Sequence, residues 1–432
     1  MRLPPAILAN AEEVLREILR FAAPADTTLS RYFKDHPRLG GRERGAIAES
    51  VYNVLRNKNF YTDFSEAGGG ATMRRLTLLG MADAVGLDSL GGLSEEEVAW
   101  VQRILEIDRK LMHKSSRSNM PKWLFEKLVE QYGEEETLAL ADSLNTPAPL
   151  DLRVNTLKAN REEVIAKLAE APIRATPTPF APQGLRVLQK PQLQNLPLFK
   201  EGHIEVQDEG SQLLSALVAA KRGEMVVDFC AGAGGKTLSL GATMRNTGRL
   251  YAFDVSEKRL TKLKPRLARS GLSNVHPVVI AHERDAKIKR LAGKIDRVLV
   301  DAPCSGLGTL RRNPDVKWRQ KPEAIAELQV KQAAILDGAA RLVKGGGRLV
   351  YATCSVLEDE NDFIAKQFLE THPDFELVPM SKALAEQKID LDMGDYLKLL
   401  PHKHQTDGFF AAVFERKQMA KKAKEEVEAV DE

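Results

Sequence analysis

The second half of the chain alternates short apolar strands with helical segments from Gln207 onward, and this pattern constrains the fold more than any other feature. Strand and helix alternation is typical of a doubly wound α/β domain with a parallel sheet. Two apolar stretches, around Phe375 and over Phe409–Phe414, are expected to extend the sheet. Its main strands are predicted over Met225–Phe229, Arg249–Phe253, Pro277–Ala281, Arg297–Asp301 and Arg348–Thr353. Ligands bind beyond the carboxyl ends of such strands, so functional residues are expected there.

The first part of the chain shows helical rather than strand periodicity. Ser94 and Glu97 have the spacing of a capping box, which predicts the start of one helix. Pro24 and the glycines at 68–70 are expected to interrupt the helical pattern. Apolar residues at helical spacing predict three further helices, over residues 7–22, 42–58 and 72–85.

Changes of pattern divide the 432 residues into four predicted parts. The polar stretch 113–118 is interpreted as a linker, and strands over 150–155 and 185–188 follow it among helices. The fold class is therefore multidomain. Its predicted parts are an all-α region over residues 1–116, a small α+β subdomain over 117–205, an α/β domain over 206–417 and a charged tail over 418–432.

Composition narrows the function classes without selecting one. The net charge is only +3, with 63 basic against 60 acidic residues, so any nucleic-acid-binding surface must be local. No apolar run approaches the roughly 20 residues of a membrane span, and the N-terminus lacks a secretory pattern, so a cytosolic protein without membrane contact is expected. The three cysteines, Cys230, Cys304 and Cys354, fit neither a disulfide framework nor a zinc site, and no metal is predicted.

The loop Cys230–Thr237 follows the first predicted strand and opens a helix. It is not a phosphate-binding Walker loop, because Cys230 stands where a glycine is needed, and Thr237 replaces the third glycine of the dinucleotide motif. Gly232 and Gly234 still allow the backbone to approach a nucleotide that has no pyrophosphate. A simple tight turn is the alternative. The predicted cofactor-binding residues of this loop are Cys230, Ala231, Gly232, Ala233, Gly234, Gly235 and Lys236.

Aspartates follow the next three strands at Asp254, Asp285 and Asp301. Asp254 is placed to accept the ribose hydroxyls of an adenosine, as acidic residues do in dinucleotide folds. Asp285 is placed to meet the adenine edge. Each aspartate alone is typical of a surface turn. Together the three favour S-adenosylmethionine as the cofactor.

Cys304 and Cys354 follow the fourth and fifth strands, which are neighbours about 4.8 Å apart in a doubly wound sheet. The two side chains are therefore expected to face each other. A thiolate that adds to C6 of a pyrimidine makes C5 nucleophilic towards a sulfonium methyl group, and a base must then remove the C5 proton. One cysteine would attack and the other would assist release. The spacing does not decide which attacks, and two inert buried thiols are the alternative.

A basic stretch with an aromatic residue follows Cys304. Basic side chains contact phosphates, and an aromatic ring stacks on an unpaired base. A charged surface loop without a ligand is the alternative. Because the stretch adjoins the predicted site, RNA contact is predicted for Arg311, Arg312, Lys317, Trp318 and Arg319.

Four segments resemble the signature loops of the Sun/Fmu family of RNA cytosine-C5 methyltransferases: Cys230–Thr237, Asp301–Gly306, Ala352–Ser355 and Thr406–Phe410. The N-terminal part resembles the NusB-like domain of the bacterial ribosomal-RNA branch, and Leu152–Thr156 resembles its RNA-binding subdomain. The resemblance implies a Rossmann-like class I methyltransferase fold and a 16S small-subunit rRNA substrate. It implies Cys354 as nucleophile and Cys304 as the cysteine that helps release product. Ala233 departs from the proline that is common in the family.

Two other functions stay open at this point. A tRNA or DNA cytosine methyltransferase would share the catalytic domain, and a ribosome assembly factor would bind RNA without catalysis. The presence of both cysteines and of the complete cofactor loop argues against a purely binding role. A monomer is expected.

Overall fold

The computed structural model describes residues 2–66, 72–189 and 191–418. Its first part is helical, as predicted, and the Ser94 hydroxyl accepts the Glu97 N–H at 3.2 Å in the expected capping box. The buried side chains Leu15, Ile47 and Leu79 lie in one core between the helices. The helices are α1 (Pro5–Ile18), α2 (Ala25–Asp35), α3 (Gly41–Arg56), α4 (Lys58–Glu66), α5 (Thr72–Val85), α6 (Glu95–Leu105) and α7 (Lys114–Ser118).

Two predictions for this part were wrong. Helix α2 was not predicted, because Pro24 was interpreted only as a stop, whereas it is the residue from which α2 starts. The predicted linker at 113–118 is the short helix α7, whose first turn is capped by the His113 side chain. The predicted glycine loop at 68–70 and the tail beyond residue 418 lie outside the described residues. None of the described helices is long and apolar enough to cross a membrane.

The middle part holds a four-stranded antiparallel sheet in the order β2-β3-β1-β4. The strands predicted over 150–155 and 185–188 are confirmed as β1 and β3. The elements are α8 (Lys122–Tyr132), α9 (Glu134–Leu144), β1 (Leu150–Val154), α10 (Arg161–Glu170), β2 (Ala175–Pro177), β3 (Gly184–Val187), α11 (Pro197–Lys200) and β4 (Ile204–Val206). Helices α8 and α9 share a core with Leu307, Leu310 and Val356, which belong to loops of the C-terminal part.

The C-terminal part is the predicted doubly wound domain. Its strands are β5 (Met225–Asp228), β6 (Arg249–Asp254), β7 (Val275–Val279), β8 (Ile295–Asp301), β9 (Val343–Thr353), β10 (Phe375–Val378), β11 (Leu397–Leu399) and β12 (Phe409–Arg416). Its helices are α12 (Glu209–Leu217), α13 (Gly235–Thr243), α14 (Glu257–Ser270), α15 (Ala286–Lys289), α16 (Val316–Arg319), α17 (Pro322–Ala340), α18 (Asp362–Thr371), α19 (Met380–Glu386) and α20 (Pro401–His404).

The strands of this domain form one sheet in the order β10-β12-β9-β8-β5-β6-β7, and β11 also pairs with β12. Strands β5 to β9 are parallel, and β12 joins β9 in the antiparallel direction. This is the class I methyltransferase architecture that the sequence predicted. All seven predicted strands are present, although β9 begins at Val343 rather than Arg348.

The register of the sheet positions the functional loops. Asp228, the last residue of β5, is paired with Ala252 on β6 and Leu299 on β8. Asp301, which ends β8, is paired with Ala352 on β9. The parallel strands therefore end at nearly the same level, and their loops open on one edge of the sheet.

Candidate active site

A cavity of about 830 Å³ lies over this edge. Its size suits a small-molecule ligand, for which sites of about 300 to 1,000 Å³ are usual. The loops after β5, β6, β8 and β9 all contribute to its wall. The predicted site residues that line it are Cys230, Ala231, Gly232, Ala233, Gly235, Lys236, Asp254, Asp301, Cys304, Arg312 and Cys354.

The loop after β5 has the glycine geometry that the sequence predicted. Gly232 and Gly234 have φ angles of +56° and +84°, in the left-handed region that favours glycine. A Cβ atom on Gly234 would also lie 2.1 Å from the Leu263 side chain, so this glycine sets the packing of the loop against α14. The Gly232 N–H donates to the Asp254 carboxylate at 2.8 Å, which joins the loops after β5 and β6.

Three carboxylates surround the base of the cavity. Asp254 is buried and accepts the Ser256 N–H at 2.7 Å. Asp301 is paired with the Lys236 ammonium at 2.7 Å. Burial alone would lower the pKa of Lys236, but the ion pair with Asp301 outweighs this effect and raises that pKa. The cavity wall therefore holds a Lys236–Asp301 ion pair, and the basic side chains Arg259 and Arg266 also line it.

The third carboxylate, Asp228, was not predicted as a site residue. It accepts the Thr237 hydroxyl at 2.7 Å, and its other oxygen has no partner in the described part of the chain. Complete burial raises the pKa of Asp228 to about 7. Asp228 lies two residues before the Cys230–Thr237 loop, but its burial depends on the packing of β5 between β6 and β8.

Asp285 is not among the residues that line the cavity, and its contact with an adenine edge stays a prediction. Its carboxylate caps α15 and accepts the N–H groups of Ala281 and Lys287 at 2.7 and 2.8 Å. These two hydrogen bonds lower the pKa of Asp285. At this edge of the cavity the wall is formed instead by the Ile280–Glu283 segment.

Cys304 and Cys354 face each other, as predicted from the strand order. Their Sγ atoms are 3.3 Å apart, and the Cys354 N–H donates to the Cys304 Sγ atom at 3.3 Å. The hydrogen bond with Cys354, together with burial, raises the pKa of the Cys304 thiol. Cys304 is therefore held as a protonated thiol beside Cys354. The third cysteine, Cys230, belongs to the loop after β5, where burial and the nearby Asp228 raise the pKa of its thiol.

The predicted RNA-binding stretch is used largely for internal packing. Lys317 is fully buried, and its ammonium donates to the Arg56 carbonyl oxygen at 3.1 Å. Arg311 is buried and donates to the Thr406 carbonyl oxygen at 3.1 Å. A side chain enclosed in this way cannot contact a phosphate. RNA contact was therefore a wrong prediction for Lys317 and Arg311. Arg56 of α3 also donates to the Arg311 carbonyl oxygen, so both residues join the helical part to the C-terminal part.

Trp318 has a similar place at this junction. Its indole N–H donates to the Leu55 carbonyl oxygen at 2.8 Å, and the ammonium groups of Lys58 and Lys317 lie 4.8 and 5.1 Å from its ring centre. The ring is thus occupied by cations rather than open to a base. Arg319 is exposed, and RNA contact stays a prediction for it.

Arg312 is the member of the stretch that reaches the cavity. Its guanidinium donates to Asp208 at 2.9 Å and also to Asp407. RNA contact stays a prediction for this residue. The two aspartates were not predicted, because they come from the start of α12 and the segment before β12, almost 200 residues apart.

Comparison with known proteins identifies the family. Residues 215–415 match the model described as 16S rRNA methyltransferase RsmB/F, and residues 120–194 match the model for the ferredoxin-like domain of RsmF/B-like methyltransferases. A relative from Synechocystis sp., named probable ribosomal RNA small subunit methyltransferase B, is 33% identical and aligns with 92% of this chain and 97% of its own length. The chain belongs to the RsmB/F methyltransferase family.

Solved structures agree with RsmB/F membership. The crystal structure of PH0851 is 29% identical with a TM-score of 0.76, covering 96% of this chain and all of that one. A methyltransferase homolog protein from Pyrococcus horikoshii is also 29% identical, with a TM-score of 0.61, and covers 72% of this chain and all of that one. The matched methyltransferase region spans β5 to β12, the sheet that carries the cavity and both cysteines.

Proposed function

We propose that the protein is an S-adenosylmethionine-dependent RNA cytosine-C5 methyltransferase that acts on 16S small-subunit rRNA. The observation that carries this proposal is the pair of thiols, 3.3 Å apart, in the wall of a cavity of cofactor size. The names of RsmB/F relatives support the choice of ribosomal RNA over tRNA or DNA.

The residues around the cavity fit the cofactor. S-adenosylmethionine supplies a methyl group on a positively charged sulfonium, and the Asp254 and Asp301 carboxylates line the cavity that would hold it. Asp254, which ends β6, is placed to accept ribose hydroxyls. The Gly232 turn has no Cβ atom, so the backbone leaves room for the nucleoside.

The proposed reaction uses the cysteine pair on a flipped-out cytosine. The Cys354 thiolate adds to C6, so that an S–C6 bond forms and C5 becomes nucleophilic. After C5 has gained the methyl group, loss of the C5 proton to a base breaks the S–C6 bond and restores the aromatic ring. The target base must be unpaired or flipped, because the thiol cannot reach C6 within a helix stack.

The two cysteines are assigned different roles. Cys354 is proposed as the nucleophile, in keeping with the resemblance of Ala352–Ser355 to the family motif. Cys304 is proposed to assist product release, because its raised pKa keeps a proton on its sulfur next to the Cys354 sulfur. The Lys236 and Asp301 ion pair lies in the same cavity wall and joins the start of α13 to the end of β8.

We also propose the domain limits 1–116, 117–205 and 206–417, with a tail over 418–432. Separate apolar cores in the helical part and under the four-stranded sheet support this division. We also propose that the protein acts as a monomer.

Methylation of isolated 16S rRNA and of 30S particles by the purified protein, followed by bisulfite sequencing, tests the proposed function. We expect at least one cytosine to gain protection only when S-adenosylmethionine is present. Modification of tRNA or DNA instead of rRNA would show that the proposed rRNA substrate is wrong. Binding to rRNA without any modified cytosine would favour an assembly factor.

A further inference from the structure

Glu360 lies behind the two cysteine loops and is completely buried. One carboxylate oxygen accepts the Ser305 N–H at 2.8 Å, and the other accepts the Ser305 hydroxyl at 2.5 Å. The second oxygen also accepts the Ser355 hydroxyl at 2.5 Å. Ser305 directly follows Cys304, and Ser355 directly follows Cys354. One carboxylate thus holds the residue next to each cysteine.

The remaining contacts of Glu360 make this connection rigid. Gln332 on α17 donates to the first oxygen at 3.0 Å and also to the Pro303 carbonyl oxygen at 3.0 Å. The Tyr351 hydroxyl donates to the Glu360 backbone carbonyl at 2.6 Å. Four donors therefore meet the carboxylate, which has about four acceptor positions. A buried carboxylate is strongly unfavourable without such partners, so this arrangement defines one geometry.

Strand pairing alone does not fix the distance between the thiols. Pairing between β8 and β9 reaches Asp301 and Ala352, but Cys304 and Cys354 lie beyond these residues in loops. Glu360 and the 3.2 Å contact between the Ser305 and Ser355 hydroxyls continue the connection past the end of the sheet. Glu360 does not line the cavity, so it does not touch substrate or cofactor.

We propose that Glu360 is a positioning residue that holds Cys304 and Cys354 at the separation the reaction needs. The expected loss of rate rests on the proposed function, whereas the expected change in the separation of the two thiols does not. If the hydrogen bonds of Glu360 to Ser305 and Ser355 are lost, each thiol keeps its reactivity but not its position. A misplacement of about 1 Å in a catalytic group can cost about 100-fold in rate.

The kinetic test compares Glu360→Ala with Glu360→Gln. The amide can accept from Ser305 N–H and Gln332 through its oxygen and donate to the two serine hydroxyls, which rotate to accept. We expect Glu360→Ala to lose about 100-fold in kcat while KM for S-adenosylmethionine stays within about twofold. Glu360→Gln is expected to recover most of that loss. Equal kcat in wild type and Glu360→Ala, or equal losses in both variants, would overturn the proposal.

Two controls separate positioning from stability. Glu358→Ala removes an exposed carboxylate two residues away in the same segment. Leu384→Ala removes a fully buried side chain from α19 that does not line the cavity. Both should keep wild-type kcat at temperatures well below their melting temperatures. A fall in kcat for Leu384→Ala that matches Glu360→Ala at equal stability would assign the effect of Glu360 to folding alone.

A second measurement does not depend on RNA. Phenylarsine oxide binds two close thiols together, releasing water and forming two As–S bonds. We expect stoichiometric binding by the wild-type protein that Cys304→Ala abolishes and Glu360→Ala weakens by at least tenfold. Unchanged binding in Glu360→Ala would overturn the positioning role even if methylation is confirmed. If Glu360→Ala weakens phenylarsine oxide binding but the wild-type protein methylates no cytosine, the proposed function is refuted and the positioning role stands.

Discussion

The Sγ atoms of Cys304 and Cys354 lie 3.3 Å apart, although 50 residues separate them in the sequence. Their loops leave neighbouring parallel strands, so the sheet brings them together without a disulfide. A pair at this distance can divide attack and release between two sulfurs, whereas one thiol would have to do both. The pair therefore gives the sharpest test of the proposed mechanism.

Replacement of each cysteine should have a different effect. Cys354→Ala removes the proposed nucleophile, so neither methylation nor a covalent RNA adduct should form. Cys304→Ala should still attack but release slowly, so an adduct should accumulate that survives denaturing electrophoresis with labelled rRNA. An adduct in Cys354→Ala and none in Cys304→Ala would reverse the two roles. Full methylation in both variants would exclude the cysteine mechanism.

Asp254 and Asp285 form a matched pair for testing the cofactor site. Asp254→Ala removes a buried carboxylate from the cavity, and a lost hydrogen bond to a charged group costs about 1.5 to 3 kcal/mol. S-adenosylmethionine affinity should fall by about 10- to 100-fold in isothermal titration calorimetry. Asp285→Ala should cost less affinity, because Asp285 caps α15 and is not among the residues that line the cavity. An equal loss in both variants would show that Asp285 contacts the cofactor as directly as Asp254 does.

The sequence predicted the sheet and the meeting of the cysteine loops because both follow from strand order. It could not show contacts that form only in the folded protein. Asp285 has the same strand-end position as Asp254, but its carboxylate accepts N–H groups of Ala281 and Lys287 from its own loop and caps α15. Lys317 has the sequence context of a surface cation, but it is buried and donates to the Arg56 carbonyl oxygen, 261 residues earlier in the chain. Glu360 shows no signal in a single sequence, because only the folded loops bring its four donors together.

The junction around Trp318 should affect stability rather than RNA binding. Trp318→Ala removes a partly buried ring and its hydrogen bond to the Leu55 carbonyl oxygen, so the free energy of unfolding should fall by about 1 to 3 kcal/mol. KM for rRNA should change by less than about twofold, because the ammonium groups of Lys58 and Lys317 already lie against the ring. Arg319→Ala is the comparison, because its exposed guanidinium is still predicted to contact RNA. A large rise in KM for Trp318→Ala at unchanged stability would restore the original prediction of base stacking.

Asp228 predicts a specific pH dependence of stability. Its folded-state pKa of about 7 lies above the ordinary value of 3.8, because burial disfavours the charged form. Between these two pH values the folded protein retains a proton that the unfolded chain has lost, so this group makes stability fall as pH rises and adds no further change above pH 7. Asp228→Asn should remove this pH dependence. Relative to the wild type, the free energy of unfolding of the variant should rise by roughly 4 kcal/mol between pH 3.8 and about pH 7.

Urea unfolding of the two proteins at several pH values measures this difference directly. The advantage of Asp228→Asn should be least in acid and should reach its plateau near neutral pH, which is the reverse of the pattern for an aspartate stabilised by an ion pair. Asp254→Asn is the control, because Asp254 accepts two backbone N–H groups and is paired with Arg259 at 3.0 Å. A constant difference between wild type and Asp228→Asn across the range would mean that Asp228 ionises normally in the folded protein. Asp228 would then be fully charged at neutral pH, where a pKa of about 7 leaves about half of it protonated.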